Sequence, residues 1–124
     1  WLHCADIVVT KAGPGIIAEA ACCGTPLLLT SHLPGQERGN TGLVVRAGAG
    51  RRARGIRGLL RELALLRGDR AALAALSAGC QRLARPGAAG DVAALIAMLA
   101  GQRLPPPADP ATARVTGSPR VAAV

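Results

Sequence analysis

The fold of this chain is decided by the stretch between residues 5 and 30, which reads ADIVVTKAGPGIIAEAACCGTPLLLT. The β-branched run from Ile7 to Val9 predicts a short buried strand over Ala5–Thr10. The apolar run from Leu27 to Leu29, which follows Pro26, predicts a second strand. A glycine-rich turn and a helical pattern lie between them, so the stretch is typical of a βαβ unit.

The segment between the two strands carries the signals that begin and end a helix. Gly13-Pro14-Gly15 breaks the first strand, and proline is favoured at a first helical position because its missing N–H is not needed there. The helix then runs to about Cys23, where Gly24 closes it, since glycine is the common residue just past a helix C-terminus. A helix N-terminus therefore follows directly on the end of the first strand.

Beyond the second strand the sequence predicts a polar loop and four further helices. The loop covers Thr30–Gly42 and leads into a helix at about Asn40–Ala47, after which a short edge strand could follow. Three more apolar sets at helical spacing are Ile56, Leu59, Leu60 and Leu63; Leu73, Leu76, Cys80 and Leu83; and Val92, Leu95, Ile96 and Leu99. Asp69 is placed to cap the second of these helices, and Asp91 favours the dipole of the third.

Composition places the chain among α/β proteins. Half of the residues are hydrophobic, yet Trp1 is the single aromatic, so the core must consist of Leu, Ile, Val and Ala. Such a core suits helices packed on a parallel sheet and argues against an aromatic-rich β-sandwich. The length allows one domain with a modest core, which we assign to residues 1–100. Residues 101–124 are rich in proline without periodicity and are predicted to be a disordered tail.

The net charge of +8 comes from fifteen basic residues, of which Lys11 is the only lysine. Two explanations stay open: an arginine bias from a GC-rich coding sequence, or attraction to phosphates. Because the chain has almost no aromatic side chain on which bases could stack, nucleic acid is not an expected partner.

The cysteines and histidines predict no metal site. Cys4, Cys22, Cys23 and Cys80 include no C-x-x-C spacing, and neither His3 nor His32 completes a zinc pattern. We interpret the cysteines as structural thiols, which makes the cytoplasm the default compartment. No apolar run approaches the roughly 20 residues of a membrane-spanning helix.

The glycine-rich turn is the first candidate binding site. A turn of this kind lets backbone N–H groups approach an anion closely, and the following helix N-terminus adds about half a positive charge, so a diphosphate fits there. Glu19 lies one helical turn beyond Gly15, where its carboxylate can accept hydrogen bonds from ribose hydroxyls. Two other interpretations stay open: a structural turn with a solvated glutamate, and the dinucleotide fingerprint G-x-G-x-x-A, which residues 13–18 also fit.

The second candidate is the polar loop after the second strand. Loops at the carboxyl ends of neighbouring parallel strands converge on one site, so Gln36, Glu37 and Asn40 could meet the same ligand as the glycine turn. Gln offers donors and an acceptor, and Glu accepts from hydroxyls, which are the groups needed to bind a sugar. A simple turn remains the alternative.

Four short motifs occur in order: Thr10-Lys11-Ala12-Gly13-Pro14-Gly15, Ala18-Glu19-Ala20, Gly24-x-Pro26 and Gly35-Gln36-Glu37-x-Gly39-Asn40. In this order and spacing they resemble the monogalactosyldiacylglycerol synthases and related diacylglycerol glucosyltransferases of glycosyltransferase family 28. The resemblance covers Trp1 to Leu99 and is densest between Ala5 and Val45.

The resemblance implies a Rossmann-like C-terminal half-domain of a GT-B glycosyltransferase, with a parallel sheet flanked by helices. It implies that Gly13, Pro14 and Gly15 lie near the UDP diphosphate, with Lys11 as a further neighbour. It implies Glu19 on the ribose, Gln36 and Glu37 on hydroxyls of the donor sugar, and Asn40 in support of them. The UDP-sugar is a substrate, and neither a cofactor nor a metal is implied.

The implied activity is transfer of galactose or glucose from UDP-galactose or UDP-glucose to diacylglycerol, by a hexosyltransferase that makes a glycolipid. The family's catalytic base belongs to an N-terminal domain, so no catalytic residue is expected here. Because Trp1 rather than Met opens the chain and a strand follows almost at once, we expect part of a longer protein, inactive alone. The lipid acceptor implies a cytoplasmic protein attached peripherally to a membrane.

Two alternative functions remain open. A transferase that moves N-acetylglucosamine from its UDP-sugar to a polyprenyl-linked peptidoglycan precursor has the same architecture, but its sugar loop differs from Gly35-Gln36-Glu37. A non-catalytic nucleotide-binding fragment is the alternative from a different class.

Overall fold

The computed structural model of the chain describes residues 1–31 and 37–101, apart from the side chain of Arg38. His32 and Gln36 lie outside the described residues, as does the predicted tail beyond Gly101. Contacts divide the chain into one unit from Trp1 to Pro86 and a second from Gly87 onward.

A three-stranded parallel sheet forms the centre of the first unit. Its strands are β1 (Val8–Lys11), β2 (Leu27–Ser31) and β3 (Gly50–Arg52), in the order β1-β2-β3. Val8 lies opposite Leu27, which in turn lies opposite Gly50. The edge strand after the second helix is therefore present. A side chain at position 50 would collide with the carbonyl oxygen of Leu27, so glycine is required there.

The first strand begins later than the sequence predicted, at Val8 rather than Ala5. Just before the predicted strand, residues Leu2–Cys4 form a 3-10 helix, which packs on the first α-helix. The hydroxyl of Thr25 donates to the carbonyl of Leu2 at 2.8 Å and ties this short helix to the start of β2.

Four α-helices complete the first unit: α1 (Pro14–Cys23), α2 (Arg38–Arg46), α3 (Gly55–Gly68) and α4 (Arg70–Leu83). Both predicted ends of α1 are confirmed, since Pro14 is its first residue and Gly24 has a φ of 69°. The start of α2 was placed two residues too late, at Asn40 instead of Arg38. The capping role of Asp69 is confirmed, because its carboxylate accepts from the N–H of Ala72 at 2.8 Å.

The core is aliphatic, as the composition predicted. Leu27, Leu28 and Leu29 of β2 are almost fully buried, and the main cluster joins two of them to side chains of α1, α2 and α4. Its members are Ala12, Ile17, Ala20, Leu27, Leu29, Val44, Ala49 and Cys80. Small residues let the layers approach closely, and each buried methylene contributes about 0.8 kcal/mol.

Small residues of α4 let this helix approach the connection between α2 and β3 closely. A side chain at Gly79 would collide with the carbonyl of Gly48 and lie 2.6 Å from the nitrogen of Ala49. The Cys80 thiol donates to the carbonyls of Thr25 and Ala49, at 3.2 and 3.3 Å. Burial raises the pKa of this thiol, so it stays protonated and serves as a small apolar donor.

The predicted apolar face of α3 is partly wrong. Ile56 and Leu60 are 68% and 60% exposed, whereas Leu66 is 2% exposed. The helix buries the line through Leu59, Leu63 and Leu66 toward the sheet and α4, at spacings of four and three residues. Ile56 and Leu60 lie beside that line and face outward.

The second unit contains α5 (Ala88–Leu99). Asp91 lies in its first turn, as the sequence predicted. The apolar residues predicted to share a face, Val92, Leu95, Ile96 and Leu99, are each more than half exposed.

Candidate functional site

The carboxyl ends of the three parallel strands meet at one edge of the sheet, which we call the carboxyl edge. The turn after β1 is Ala12–Gly13, the loop after β2 ends at Glu37, and Ala53–Arg54 follow β3. The N–H of Ala12 donates to the carbonyl of Ser31 at 2.9 Å, and the N–H of Ala53 donates to Leu29 at 2.8 Å. These bonds continue the sheet by one residue past β1 and past β3, and they fix where the chain leaves these two strands.

The glycine turn presents a helix N-terminus at this edge. Gly13 caps α1 in an extended conformation, with φ −70° and ψ 141°, and its carbonyl accepts from Ile17 at 3.2 Å. Pro14 has no N–H, so Gly15 and Ile16 contribute the N–H groups that lack an intrahelical partner. A Cβ built on Gly15 meets none of the described atoms within 4 Å, so a ligand can reach the backbone there.

Residues from the two predicted loops meet beside this turn. The Nζ atom of Lys11 lies 2.9 Å from Oε1 of Glu37, and the amide nitrogen of Asn40 donates to the carbonyl of Ala12 at 3.0 Å. A Cβ at Gly13 would lie 3.6 Å from that Glu37 oxygen and 3.7 Å from Lys11 Nζ. The start of α2 is thereby bound to the β1–α1 turn.

The two members of the ion pair differ strongly in exposure. The Glu37 side chain is 6% exposed, while the Lys11 side chain is 54% exposed. A buried carboxylate needs a charged or polar partner, and Lys11 supplies one. The pair therefore has a structural role that the sequence did not reveal, because it joins residues 26 positions apart.

Glu19 lies on the outward face of α1. Gly15 lies on the same face, one turn closer to the helix N-terminus. Both residues are exposed within the part of the chain that the structure describes. Of the residues singled out from the sequence, the structure thus brings Lys11, Gly13, Glu37 and Asn40 together, and it leaves Glu19 on the adjacent helix surface. Gln36 lies outside the described residues.

A small groove beside the turn was not anticipated from the sequence. It has a volume of about 180 Å³ and runs between α1 and α2, lined by Pro14, Ile17, Ala18, Ala21, Asn40, Leu43 and Leu83. Its lining includes the small side chains of Ala18 and Ala21 on α1. The sequence signal that could have indicated the groove is this pair of alanines, three residues apart on one helix.

Neither a metal cluster nor a membrane span is found in the described parts of the chain. Within residues 1–31 and 37–101, His, Cys, Asp and Glu nowhere gather in the groups of three that could hold a metal ion. The helices described there also lack the combined length and apolar character that a transmembrane helix needs.

The sequence of the chain is similar to sequences of known proteins. No family model matches the chain. Monogalactosyldiacylglycerol synthase 3, chloroplastic, from Arabidopsis thaliana is 54% identical over 50 residues, which are 40% of this chain and 11% of the relative. The probable monogalactosyldiacylglycerol synthase 3, chloroplastic, from Oryza sativa subsp. japonica is 40% identical over 93 residues, or 74% of this chain and 18% of the relative. The chain is a relative of the monogalactosyldiacylglycerol synthases.

The family resemblance read from the motifs is thereby confirmed. A probable monogalactosyldiacylglycerol synthase from Glycine max, also named chloroplastic, is 40% identical over 84 residues, or 67% of this chain and 16% of the relative. The chain spans less than a fifth of the length of these three synthases.

Proposed function

We propose that this chain is the donor-binding part of a GT-B glycosyltransferase, its C-terminal half-domain, which moves galactose or glucose from a UDP-sugar to diacylglycerol. The observation that carries the proposal is the meeting of the glycine turn with Lys11, Glu37 and Asn40 at the carboxyl edge of a parallel sheet. Ligands of open parallel sheets bind at this edge. The relatives' names supply the reaction class.

The diphosphate is the group that the turn accommodates best. The N–H groups at the start of α1, which have no partner within the helix, and the positive end of its dipole attract an anion. Lys11 adds a cation: its ammonium has three donors, of which Glu37 uses one, and the side chain is half exposed. In this proposal Gly13 and Gly15 admit the phosphates, and Lys11 moves only a short distance to bind them.

The sugar and the ribose bind on either side of the diphosphate. Glu19, exposed one turn along α1, accepts hydrogen bonds from the ribose hydroxyls. Glu37 and Gln36 bind hydroxyls of the hexose, and Asn40 holds the turn through its bond to Ala12. The Lys11–Glu37 pair then joins the diphosphate end of the donor to its sugar end.

The chemistry divides between this chain and the rest of the protein. The acceptor hydroxyl oxygen bonds to the anomeric carbon, the bond from that carbon to the UDP oxygen breaks, and a base elsewhere in the protein takes the hydroxyl proton. Negative charge grows on the departing UDP, and the N-terminus of α1 with Lys11 stabilises it. We place the intact protein at a membrane surface, because its acceptor is a lipid.

The ribose contact can be tested by comparing Glu19→Ala with the unaltered full-length protein, using UDP and 2′-deoxy-UDP. A hydrogen bond to a charged group contributes about 1.5–3 kcal/mol, so we expect UDP affinity to fall roughly tenfold to a hundredfold. The variant should also bind both nucleotides equally. Asp91→Ala, which removes an exposed carboxylate of the second unit, is the matched control. A Glu19→Ala protein that still discriminates against 2′-deoxy-UDP would remove Glu19 from the site.

A further inference from the structure

Four arginines line one open cavity at the end of β3. The cavity has a volume of about 590 Å³, and its lining consists of Arg52, Arg54, Arg57, Gly58 and Arg61. Arg52 ends the strand, Arg54 occupies the N-cap position of α3, and Arg57 and Arg61 lie in the first two turns of that helix. Among the residues that the structure describes, no acidic one contributes to the lining. The positive end of the α3 dipole adds to the charge of these side chains.

The surrounding charges leave this region strongly positive. Residues 51–62 contain five arginines and one glutamate, which gives a net charge of five minus one, or +4, half of the +8 of the chain. Glu62 is 13% exposed and lies 3.2 Å from both Arg51 and Arg61. It holds these two guanidinium groups in place at the border of the cavity.

Two large aliphatic side chains project beside the arginines. Ile56 and Leu60 are 68% and 60% exposed, and they lie four residues apart on the same face of α3. Arg57 and Arg61 follow each of them directly in sequence. Exposed branched aliphatics flanked by arginines are typical of elements that lie in the interface of a bilayer, where the apolar side chains enter and the basic ones bind headgroups.

The presence of arginines and exposed aliphatic side chains on one surface favours a membrane over other anionic partners. A free phosphate or a nucleic acid would bind the arginines and gain nothing from Ile56 and Leu60, whereas a lipid surface engages both. We infer that the α3 surface, defined as Arg52, Arg54, Ile56, Arg57, Leu60 and Arg61, docks on a membrane that contains anionic lipid. Because α3 begins at the carboxyl edge, docking brings the bilayer to the side of the sheet where the donor is proposed to bind.

The test measures binding of the full-length protein to phosphatidylcholine vesicles with and without phosphatidylglycerol. Each arginine near an anionic surface contributes enough for about a fivefold change, so Arg54→Gln/Arg57→Gln should weaken binding to the anionic vesicles about thirtyfold. Arg70→Gln/Arg85→Gln removes the same charge from exposed positions elsewhere and should change binding only slightly.

The apolar contribution has its own matched pair of variants. Ile56→Ser and Leu60→Ser should each weaken vesicle binding about tenfold, and that loss should persist at high salt, where the contribution of the arginines fades. Leu65→Ser is the control, because Leu65 is 54% exposed but lies on the opposite side of α3 from Ile56.

The possible outcomes distinguish membrane docking through the α3 surface from coverage of α3 by another segment. They also distinguish it from the proposed transferase activity. Equal effects of the two arginine pairs, or no effect of Ile56→Ser, would overturn docking through the α3 surface. Unchanged vesicle binding with a lowered melting temperature in the serine variants would show that another segment of the protein covers α3. Sugar transfer to a monomeric short-chain diacylglycerol should be unaffected in all variants, and transfer to vesicle-borne diacylglycerol should fall. Vesicle binding is measured without any sugar donor, so it stands or falls independently of the transferase activity.

Discussion

Replacing Gly13 with alanine should leave the fold intact and still impair donor binding. Gly13 has φ −70° and ψ 141°, a conformation that alanine adopts freely. The new methyl group would lie 3.6 Å from Glu37 Oε1, 3.7 Å from Lys11 Nζ and 3.8 Å from Ile16 Cγ2, which are ordinary van der Waals contacts. Because alanine restricts the unfolded chain, the free energy of unfolding should rise by about 0.4–1 kcal/mol.

Under the proposed function, the same methyl group should also weaken binding of the diphosphate. It lies 3.7 Å from the ammonium of Lys11, to which the proposed function assigns a role in binding the diphosphate. Loss of one charge-assisted hydrogen bond costs about 1.5–3 kcal/mol, so the dissociation constant for UDP should rise at least tenfold. Stability and affinity are thus expected to change in opposite directions.

Isothermal titration calorimetry with UDP and urea denaturation of the full-length protein measure the two effects. Gly58→Ala is the control, since a Cβ there would lie 3.8 Å from the Ala53 carbonyl carbon, inside α3 and away from the turn. It should stabilise the protein by up to about 1 kcal/mol through helix propensity and leave UDP binding unchanged. Unaltered UDP affinity in a stable Gly13→Ala protein would refute the proposed approach of the diphosphate, and unfolding of that protein would refute the packing argument.

Three further predictions concern the scaffold of the site. Gly79→Ala should destabilise the chain by about 2 kcal/mol or more despite its better helix propensity, because its Cβ would collide with the backbone of Gly48 and Ala49; urea denaturation beside Gly58→Ala would measure this, and a gain in stability would contradict it. Asp69→Ala should cost about 1 kcal/mol by removing the cap on the Ala72 N–H, while Asp69→Asn keeps most of it; equal melting temperatures for the two variants would argue against the cap. Burial raises the pKa of Cys80 above its ordinary value of 9.0, so the contribution of the protonated thiol to stability is complete below pH 9 and is lost as the pH rises through the raised value. Urea denaturation across this range should show the loss. A Cys80→Val protein whose free energy of unfolding falls with pH at the same slope would contradict this prediction.

The first βαβ unit could be predicted from sequence because its signals are local. Pro14 and Gly24 mark the ends of α1 through their own backbone preferences, and the run from Leu27 to Leu29 needs no distant partner to indicate a strand. Asp69 is a similar case, since its capping bond spans three residues. Features that depend only on neighbouring residues can therefore be predicted from the sequence.

Other features depend on how distant segments pack, and the sequence could not reveal them. The Lys11–Glu37 pair requires β1 and β2 to align in one register before the two side chains can meet. The exposure of Ile56 and Leu60 also depends on packing between distant segments. Periodicity shows which residues share a helix face, but it does not show which of two neighbouring rows of apolar side chains on α3 faces the sheet.

An assay of hexose transfer by the full-length protein tests the proposed function most directly, with UDP-galactose and UDP-glucose as donors and diacylglycerol in vesicles as acceptor. We predict transfer from one of these donors, and its collapse in Gly13→Ala with Asp91→Ala unaffected. Transfer only from UDP-N-acetylglucosamine to a polyprenyl-linked acceptor, or a folded protein that neither binds UDP nor transfers a hexose, would contradict the proposal.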